Sequence, residues 1–210
     1  MLSIIQAAGW PIWPLVLCSI AALTLIFERL SALRRAKVAP DGLVDEVIAV
    51  ARQGKPSADM LDKLGNNSLL GAVLAAGLRA AALDPRGPEA SLRQALETAG
   101  RTAAHRLDRY LNALATIASA APLLGLFGTV IGMIEIFGSQ SPGVSSNPAQ
   151  LAHGISVALY NTAFGLMVAI PSLMAHRYFR GRVNDYLHDM EQASERLLQH
   201  LLRVPLRPYA

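Results

Sequence analysis

The sequence predicts an all-α integral membrane protein with three transmembrane helices. Of its 210 residues, 52% are hydrophobic and only 16% are charged. Residues 1–27 and 110–134 contain no Asp, Glu, Lys or Arg, and residues 136–176 likewise contain none, with His153 and His176 as their only histidines. Each interval can hold the roughly 20 residues that a helix needs to cross a bilayer. Buried helices of a soluble core are the alternative, which three such runs in so short a chain disfavour.

Basic residues set the expected topology. Of the 19 Lys and Arg residues, 13 lie in 29–109 and the other six follow the third span, whereas 1–9 and 138–151 contain none. Because positively charged loops stay cytoplasmic, the N-terminus is expected outside and the C-terminus inside. The predicted segments are a periplasmic N-terminus (1–9), spans at 10–27, 113–137 and 152–175, a cytoplasmic helical region (28–112), a short periplasmic loop (138–151) and a cytoplasmic C-terminal helix (176–210).

The first span begins after an uncharged N-terminus. Its basic residues follow the apolar run, which argues against a cleaved signal peptide. Trp10 and Trp13 fit an aromatic belt at the outer interface. Arg29, Arg34, Arg35 and Lys37 follow, where anionic headgroups of the lipid bilayer would bind them. The net charge of +4 therefore needs no nucleic-acid partner.

The second span is expected to continue a long cytoplasmic helix. Short helices broken by glycines and prolines are predicted over 38–87, after which Pro88 is well placed to begin a helix. No helix breaker stands between residue 101 and Pro122. One uninterrupted helix is therefore predicted to run into the second span.

The third span also continues past His176. An apolar seam recurs there at spacings of three and four residues: Val183, Leu187, Met190, Ser194, Leu197 and Leu201. Such a seam suits a partner helix, or equally the protein's own cytoplasmic region.

Two spans carry a face of small and weakly polar residues. On the second span these are Ser119, Gly125, Gly128, Thr129 and Gly132; on the third they are Ala158, Asn161, Thr162, Gly165, Ala169 and Ser172. Small residues let membrane helices approach closely, and for Ser119 and Ser172 a hydrogen bond to their own helix is favoured. Thr129 and Thr162 would either join two helices or, if copies form a ring, line its central cavity.

Charged, metal-binding and catalytic side chains are sparse in the spans. No Asp, Glu, Lys or Arg lies in the centre of any span, although a proton carrier normally requires an ionisable group there. Glu28 and Glu135 are expected at hydrated span ends. Cys18 is the only cysteine, so a disulfide or a cysteine-based zinc site within one chain is excluded. No catalytic set, metal cluster or cofactor motif is found, and the chain is not expected to be an enzyme.

Two blocks, APLLGLFGTVIGMIEIF (121–137) and GISVALYNTAFGLMVAIPSLMAHRYFRGRV (154–183), closely resemble the MotA/TolQ/ExbB proton-channel family, and most of all its ExbB branch. The resemblance implies a homopentameric ring in the bacterial inner membrane, enclosing an ExbD-like single-pass protein whose aspartate takes the proton. Thr129 and Thr162 match pore-facing threonines of the family. Many relatives have glutamate where this chain has Val157, so a second carboxylate in this subunit is not expected.

The leading hypothesis is a ring subunit that uses the proton-motive force to energise a TonB-like protein and transport across the outer membrane. In that ring Gly125, Gly128, Gly132, Ala158, Gly165 and Ala169 would pack helices, Thr129 and Thr162 would form the proton pathway, and Ser119, Asn161 and Ser172 would be secondary pore candidates. A TolQ-like role in the Tol-Pal system is the alternative. A passive helix-packing scaffold is another.

Overall fold

The computed structural model describes residues 9–54, 56–84, 87–138 and 148–203. Within these ranges every regular element is a helix, as predicted. The helices are α1 (Ile12–Ala32), α2 (Arg35–Val38), α3 (Leu43–Gln53), α4 (Ala58–Asn67), α5 (Leu69–Leu83), α6 (Glu89–Asp108), α7 (Leu111–Gly138) and α8 (Pro148–Arg203). Most of 1–9 and 138–151, and the side chain of Val157, lie outside the described part.

Within the described ranges, three helical stretches are long and apolar enough to cross a membrane, which agrees with the predicted number. They lie in Ile12–Ala32, Glu89–Gly138 and Gly154–Arg203. Their large apolar side chains point outward: Leu17, Phe27, Leu126, Met167 and Ile170 are all exposed. An exposed surface of this kind suits lipid as the surrounding solvent.

The chain divides into two compact units. The first consists of Met1–Glu28 and Tyr110–Tyr178, and the second of Arg29–Arg109 and Phe179–Ala210. In the first unit, Leu15 of α1, Ala121 of α7 and Ala169 of α8 form a buried cluster. Two of these three residues are alanines, and the partly buried Leu124, Phe164 and Val168 pack around them.

The second unit is built around α5, an apolar helix that packs against α4 and α6. Ser57 and Ser68 cap α4 and α5 by accepting hydrogen bonds from the backbone N–H groups of Met60 (3.3 Å) and Gly71 (3.0 Å). Leu74 and Leu78 of α5 are fully buried. Burial of such large apolar side chains is what stabilises a helical unit in water.

The second unit also contains the apolar seam of α8 that begins at Val183 and ends at Leu201. Val183, Met190 and Leu197 are buried within it, so this part of α8 packs on the chain's own helices. The Tyr186 hydroxyl donates a 2.8 Å hydrogen bond to the Leu33 carbonyl, just beyond the end of α1. Arg196 of α8 forms a 2.5 Å ion pair with Asp45 of α3.

The prediction of one uninterrupted helix into the second span is wrong, because the helix is interrupted at Arg109 and Tyr110. α6 ends at Asp108, α7 begins at Leu111, and Tyr110 between them has φ +65°, which L-residues other than Asn and Asp rarely adopt. Arg29 Nη1 donates a 3.1 Å hydrogen bond to the carbonyl of Leu107, in the last turn of α6. Carbonyls of a last turn lack an intrahelical partner, so the guanidinium stabilises the end of the helix.

The same contact corrects the expectation that Arg29 binds headgroups. Its side chain is buried, with 4% of the residue exposed. Arg34, Arg35 and Lys37 are exposed.

Candidate functional site

The antiparallel contact between α7 and α8 brings the predicted site residues together. A Cβ built on Gly125 would lie 2.7 Å from the Asn161 carbonyl oxygen and 3.2 Å from the Cα of Gly165. One built on Gly165 would lie 2.6 Å from the Ala121 carbonyl oxygen. The two backbones therefore touch where each helix has a glycine, which is the close approach that small residues permit in membrane helices.

Further along the contact the side chains remain small. A Cβ on Gly132 would lie 3.2 Å from that of Ala158, and one on Gly128 would lie 2.8 Å from that of Asn161. Ala158 and Asn161 are almost fully buried. The residues predicted to pack helices in a ring thus pack α7 on α8 within one chain, and their part in a ring contact stays a prediction.

The two predicted pathway threonines face each other across this contact. The Oγ1 atoms of Thr129 and Thr162 are 2.5 Å apart. Thr129 Oγ1 also lies 3.2 Å from the carbonyl oxygens of Gly125, on its own helix, and Ala158, on the opposite one. A hydroxyl has one proton to donate and two lone pairs that accept, so Thr162 can donate to Thr129 while Thr129 donates to a carbonyl, or the order can reverse.

The remaining polar candidates behave differently. Ser119 donates to the carbonyls of Ala115 (3.1 Å) and Thr116 (3.0 Å), and Ser172 donates to that of Val168 at 2.7 Å. Both hydroxyls are thereby satisfied by their own helix, as expected. Asn161, by contrast, lies in the α7–α8 contact with 2% of the residue exposed.

Among the described residues, the α7–α8 contact contains hydrogen-bonding groups and no Asp, Glu, Lys or Arg side chain. Residues 110–134 carry no ionisable Asp, Glu, Lys or Arg, and Glu135 beyond them is exposed. Among the described residues no group of three His, Cys, Asp or Glu side chains is placed to hold a metal ion. The arrangement can therefore hydrogen-bond a carboxyl group or water.

Sequence reasoning found both threonines and left open whether they join two helices, as they do here between α7 and α8. It missed the carbonyl of Ala158 as a partner of Thr129. The short segment between α7 and α8 was the available signal. Two helices joined so closely pack side by side and antiparallel, which limits the residues of α8 that Thr129 can meet.

Comparison with known proteins adds independent evidence. Residues 65–192 match the model of the MotA/TolQ/ExbB proton channel family. The chain is 34% identical to the biopolymer transport protein ExbB-like 3 of Synechocystis over 177 residues, covering 83% of this chain and 82% of that protein. It is 32% identical to exbB1 of Vibrio cholerae (80% and 74% covered) and 30% identical to TolQ of Pseudomonas aeruginosa (80% and 76% covered).

Proposed function

The chain belongs to the MotA/TolQ/ExbB proton channel family, and on that premise we propose that it is the ring subunit of an inner-membrane motor of the ExbB–ExbD type. In this proposal the ring is a pentamer that uses the proton-motive force to energise a TonB-like protein and thereby transport across the outer membrane. The N-terminus is periplasmic and the C-terminus cytoplasmic, because the basic residues lie in 29–109 and 177–207.

The hydroxyl pair of Thr129 and Thr162 is the observation that carries the proposal. It lies on membrane helices that have no carboxylate or amine of their own at that level. In a low-dielectric surrounding, a hydroxyl is a strong hydrogen-bonding neighbour for a carboxyl group in either protonation state. This suits a site that receives a proton carrier from a partner.

The partner in this proposal is an ExbD-like single-pass protein that supplies a membrane aspartate. Thr129 also borders an open groove on α7 with Val130, Met133, Ile134 and Phe137. A transmembrane helix placed in the ring would meet an apolar surface there with one hydroxyl in it. Apolar contact would hold the helix, and the hydroxyl would face its carboxyl group.

A TolQ-like role is the second candidate. It is favoured by the 30% identity to Pseudomonas aeruginosa TolQ over 179 residues, nearly as high as the identity to the Vibrio cholerae protein. Both roles use the same proton chemistry on different client proteins. Neighbouring genes separate them: a TonB-like gene favours the first role, and TolA-like or Pal-like genes favour the second.

Native mass spectrometry of the protein, alone and co-expressed with its single-pass partner, tests the assembly. The proposal expects a ring that takes up partner chains. A ring that never takes up the partner would leave the chain without a proton carrier, and the passive scaffold would replace the motor.

Two threonine variants then test the pathway in vesicles containing the complex. Thr129→Val and Thr162→Val are expected to lower proton flux at least about tenfold while the assembly survives, because each removes one hydroxyl without changing side-chain shape. Thr129→Ser should retain flux. Thr116→Val is the matched control, since Thr116 is exposed on the same helix and donates to its own helix at Asn112. Equal flux in all four variants would overturn the assignment.

A further inference from the structure

An open groove of about 490 Å³ lies between α6 and α8 in the second unit. Both helices contribute to its apolar lining, which consists of Leu96, Gly100, Ala104, Leu187, Met190 and Leu198. A Cβ built on Gly100 would meet no atom within 4 Å, so there is room beside this residue. Leu202, one turn after Leu198, is 44% exposed. It extends the apolar surface toward the C-terminal end of α8.

Two ion pairs fix the alignment of the helices along this groove. Arg93 of α6 lies 3.5 Å from Glu195 of α8, and Arg180 of α8 lies 2.7 Å from Asp108 of α6. Each helix advances by 15 residues between the two pairs. The helices therefore run antiparallel and stay in step, so that a residue four places after Arg93 is level with one four places before Glu195.

This alignment places Glu97 of α6 at the level of Glu191 of α8, and both residues line the groove. Both are exposed, and within the described ranges neither carboxylate forms an ion pair. The charged side chains of the lining are three carboxylates and two guanidinium groups: Glu97, Glu191, Glu195, Arg93 and Arg101. The groove therefore has one negative charge in excess. It suits an apolar segment that carries one positive charge.

The chain itself supplies such a segment directly after α8. Helix α8 ends at Arg203, and the sequence VPLRPYA follows at 204–210. Arg207 is the only Lys, Arg, Asp or Glu in this segment, and its other side chains are apolar or aromatic. Pro205 and Pro208 disfavour a further helical turn. The chain is thus free to leave the axis of α8 at this point.

The segment is long enough to return along the groove. Ser194, in the middle of the lining, lies nine residues before the end of α8, which is about 14 Å along the helix. Seven extended residues span up to about 23–25 Å. The four residues up to Arg207 span about 13 Å, and the long side chain of Arg207 can cover the rest of the about 18 Å to the level of Glu191.

We propose that residues 204–210 fold back into the α6–α8 groove of their own chain, with Arg207 between Glu97 and Glu191. One guanidinium group then neutralises two carboxylates of like charge, and the apolar side chains of the segment cover the apolar lining. The segment joins α6 to α8 at the level where no ion pair between the two helices does so. This inference does not depend on the proposed function.

Disulfide crosslinking in the full-length chain tests the position of the segment. Cys18 is the only native cysteine, so Cys18→Ala provides a background without thiols. Ser194→Cys with Pro208→Cys should crosslink within one chain. Gln192→Cys with Pro208→Cys is the matched control, because Gln192 is exposed only two residues away but on the opposite side of α8. The control pair should crosslink at least about tenfold less, since a disulfide requires Cβ atoms about 3.5–4.5 Å apart.

Two results of this experiment would overturn the proposal. Equal crosslinking of the two pairs would show that the segment does not prefer the groove. A crosslink between two chains, seen as a dimer on a denaturing gel without reductant, would assign the groove to the C-terminal segment of a second copy instead.

Charge reversal at residue 207 tests the ionic contact. Arg207→Glu is expected to lower the crosslink between positions 194 and 208 by about three- to tenfold, because it adds a like charge beside two carboxylates. Arg203→Glu, an exposed position at the end of α8, is the control and should leave the crosslink unchanged. Glu97→Lys combined with Glu191→Lys should restore the crosslink in Arg207→Glu. If Arg207→Glu crosslinks like the wild type, or if the lysines restore nothing, the proposed contact is wrong.

Discussion

Helix α8 buries small residues in the first unit and large apolar residues in the second. Between Ala158 and Ser172, in the first unit, the buried residues are small. Between Phe179 and Leu201, in the second unit, they are large with one exception, Ala193: Phe179, Val183, Tyr186, Met190, Leu197, Leu198 and Leu201. The spacing of three or four residues is the same in both parts. The period of the helix is constant, and only the size of the buried side chains changes.

This difference follows from the solvent that each part is suited to. In water, burying a large apolar side chain contributes about 1.5–3 kcal/mol. In lipid the same side chain gains little on burial, so helices associate through close backbone contact and polar groups. Small residues and paired hydroxyls therefore stabilise the first part, and hydrophobic burial stabilises the second.

Leu197→Ala should produce the largest loss of stability, because it removes a fully buried side chain from the second part. Leu197 lies beside Gly77 of α5, 3.5 Å from where a Cβ would stand. The expected cost is about 2–5 kcal/mol in the free energy of unfolding, measured by chemical denaturation of the protein in detergent. Leu159→Ala, at an outward-facing position of the first part, is the control and should cost less than about 1 kcal/mol. Similar losses for the two variants would contradict the comparison.

Gly165→Ala adds one methyl group where the first part allows none. Its Cβ would lie 2.6 Å from the Ala121 carbonyl oxygen, so the helices must separate. The expected cost is about 1–3 kcal/mol in the free energy of unfolding. A disulfide between Gly132→Cys on α7 and Ala158→Cys on α8 reports the local separation and should form less readily. At Gly181, also in α8, a Cβ meets nothing within 4 Å, so Gly181→Ala should be neutral or stabilising by up to about 1 kcal/mol. A harmless Gly165→Ala would show that backbone contact does not hold this part together.

The smallest expected effect is a pH dependence confined to the second part. Burial, and then the charge of Arg52, lower the pKa of the partly buried His200, whose Nε2 makes no hydrogen bond within the described ranges. The unfolded chain then binds the proton more readily. Stability from this residue is therefore complete above the ordinary pKa of about 6.5 and is lost as pH falls below it. The free energy of unfolding should differ less between pH 7.5 and pH 5.5 in His200→Gln than in the wild type. An identical pH dependence in the two proteins would refute this.

Periodicity and hydropathy were sufficient to predict the three long apolar helices and the small faces of the second and third spans. Both signals are local, since they depend only on which residues recur every three or four positions. The same faces drew attention to Thr129 and Thr162, because a hydroxyl is conspicuous among leucines and glycines. The structure then added the distance between them.

The break at Tyr110 shows where a local signal fails. Leu107, Leu111 and Leu114 keep helical spacing across it, and no glycine or proline marks it. What identifies the helix end is Arg29, 78 residues before Leu107 in the chain, whose guanidinium binds the last turn of α6. A backbone conformation that depends on so distant a side chain leaves no pattern in the neighbouring sequence.

The sequence by itself determined how many apolar helices form and which face of each is small, because both follow from the order of side chains along one helix. Only the tertiary structure decided which residues meet: Thr129 with Thr162, Gly128 with Asn161, and Arg29 with the carbonyl of Leu107. Contacts between helices depend on axial register and on where each helix ends. Glycines at positions 125, 128 and 132 would accept the same partner, so their spacing alone does not select one register.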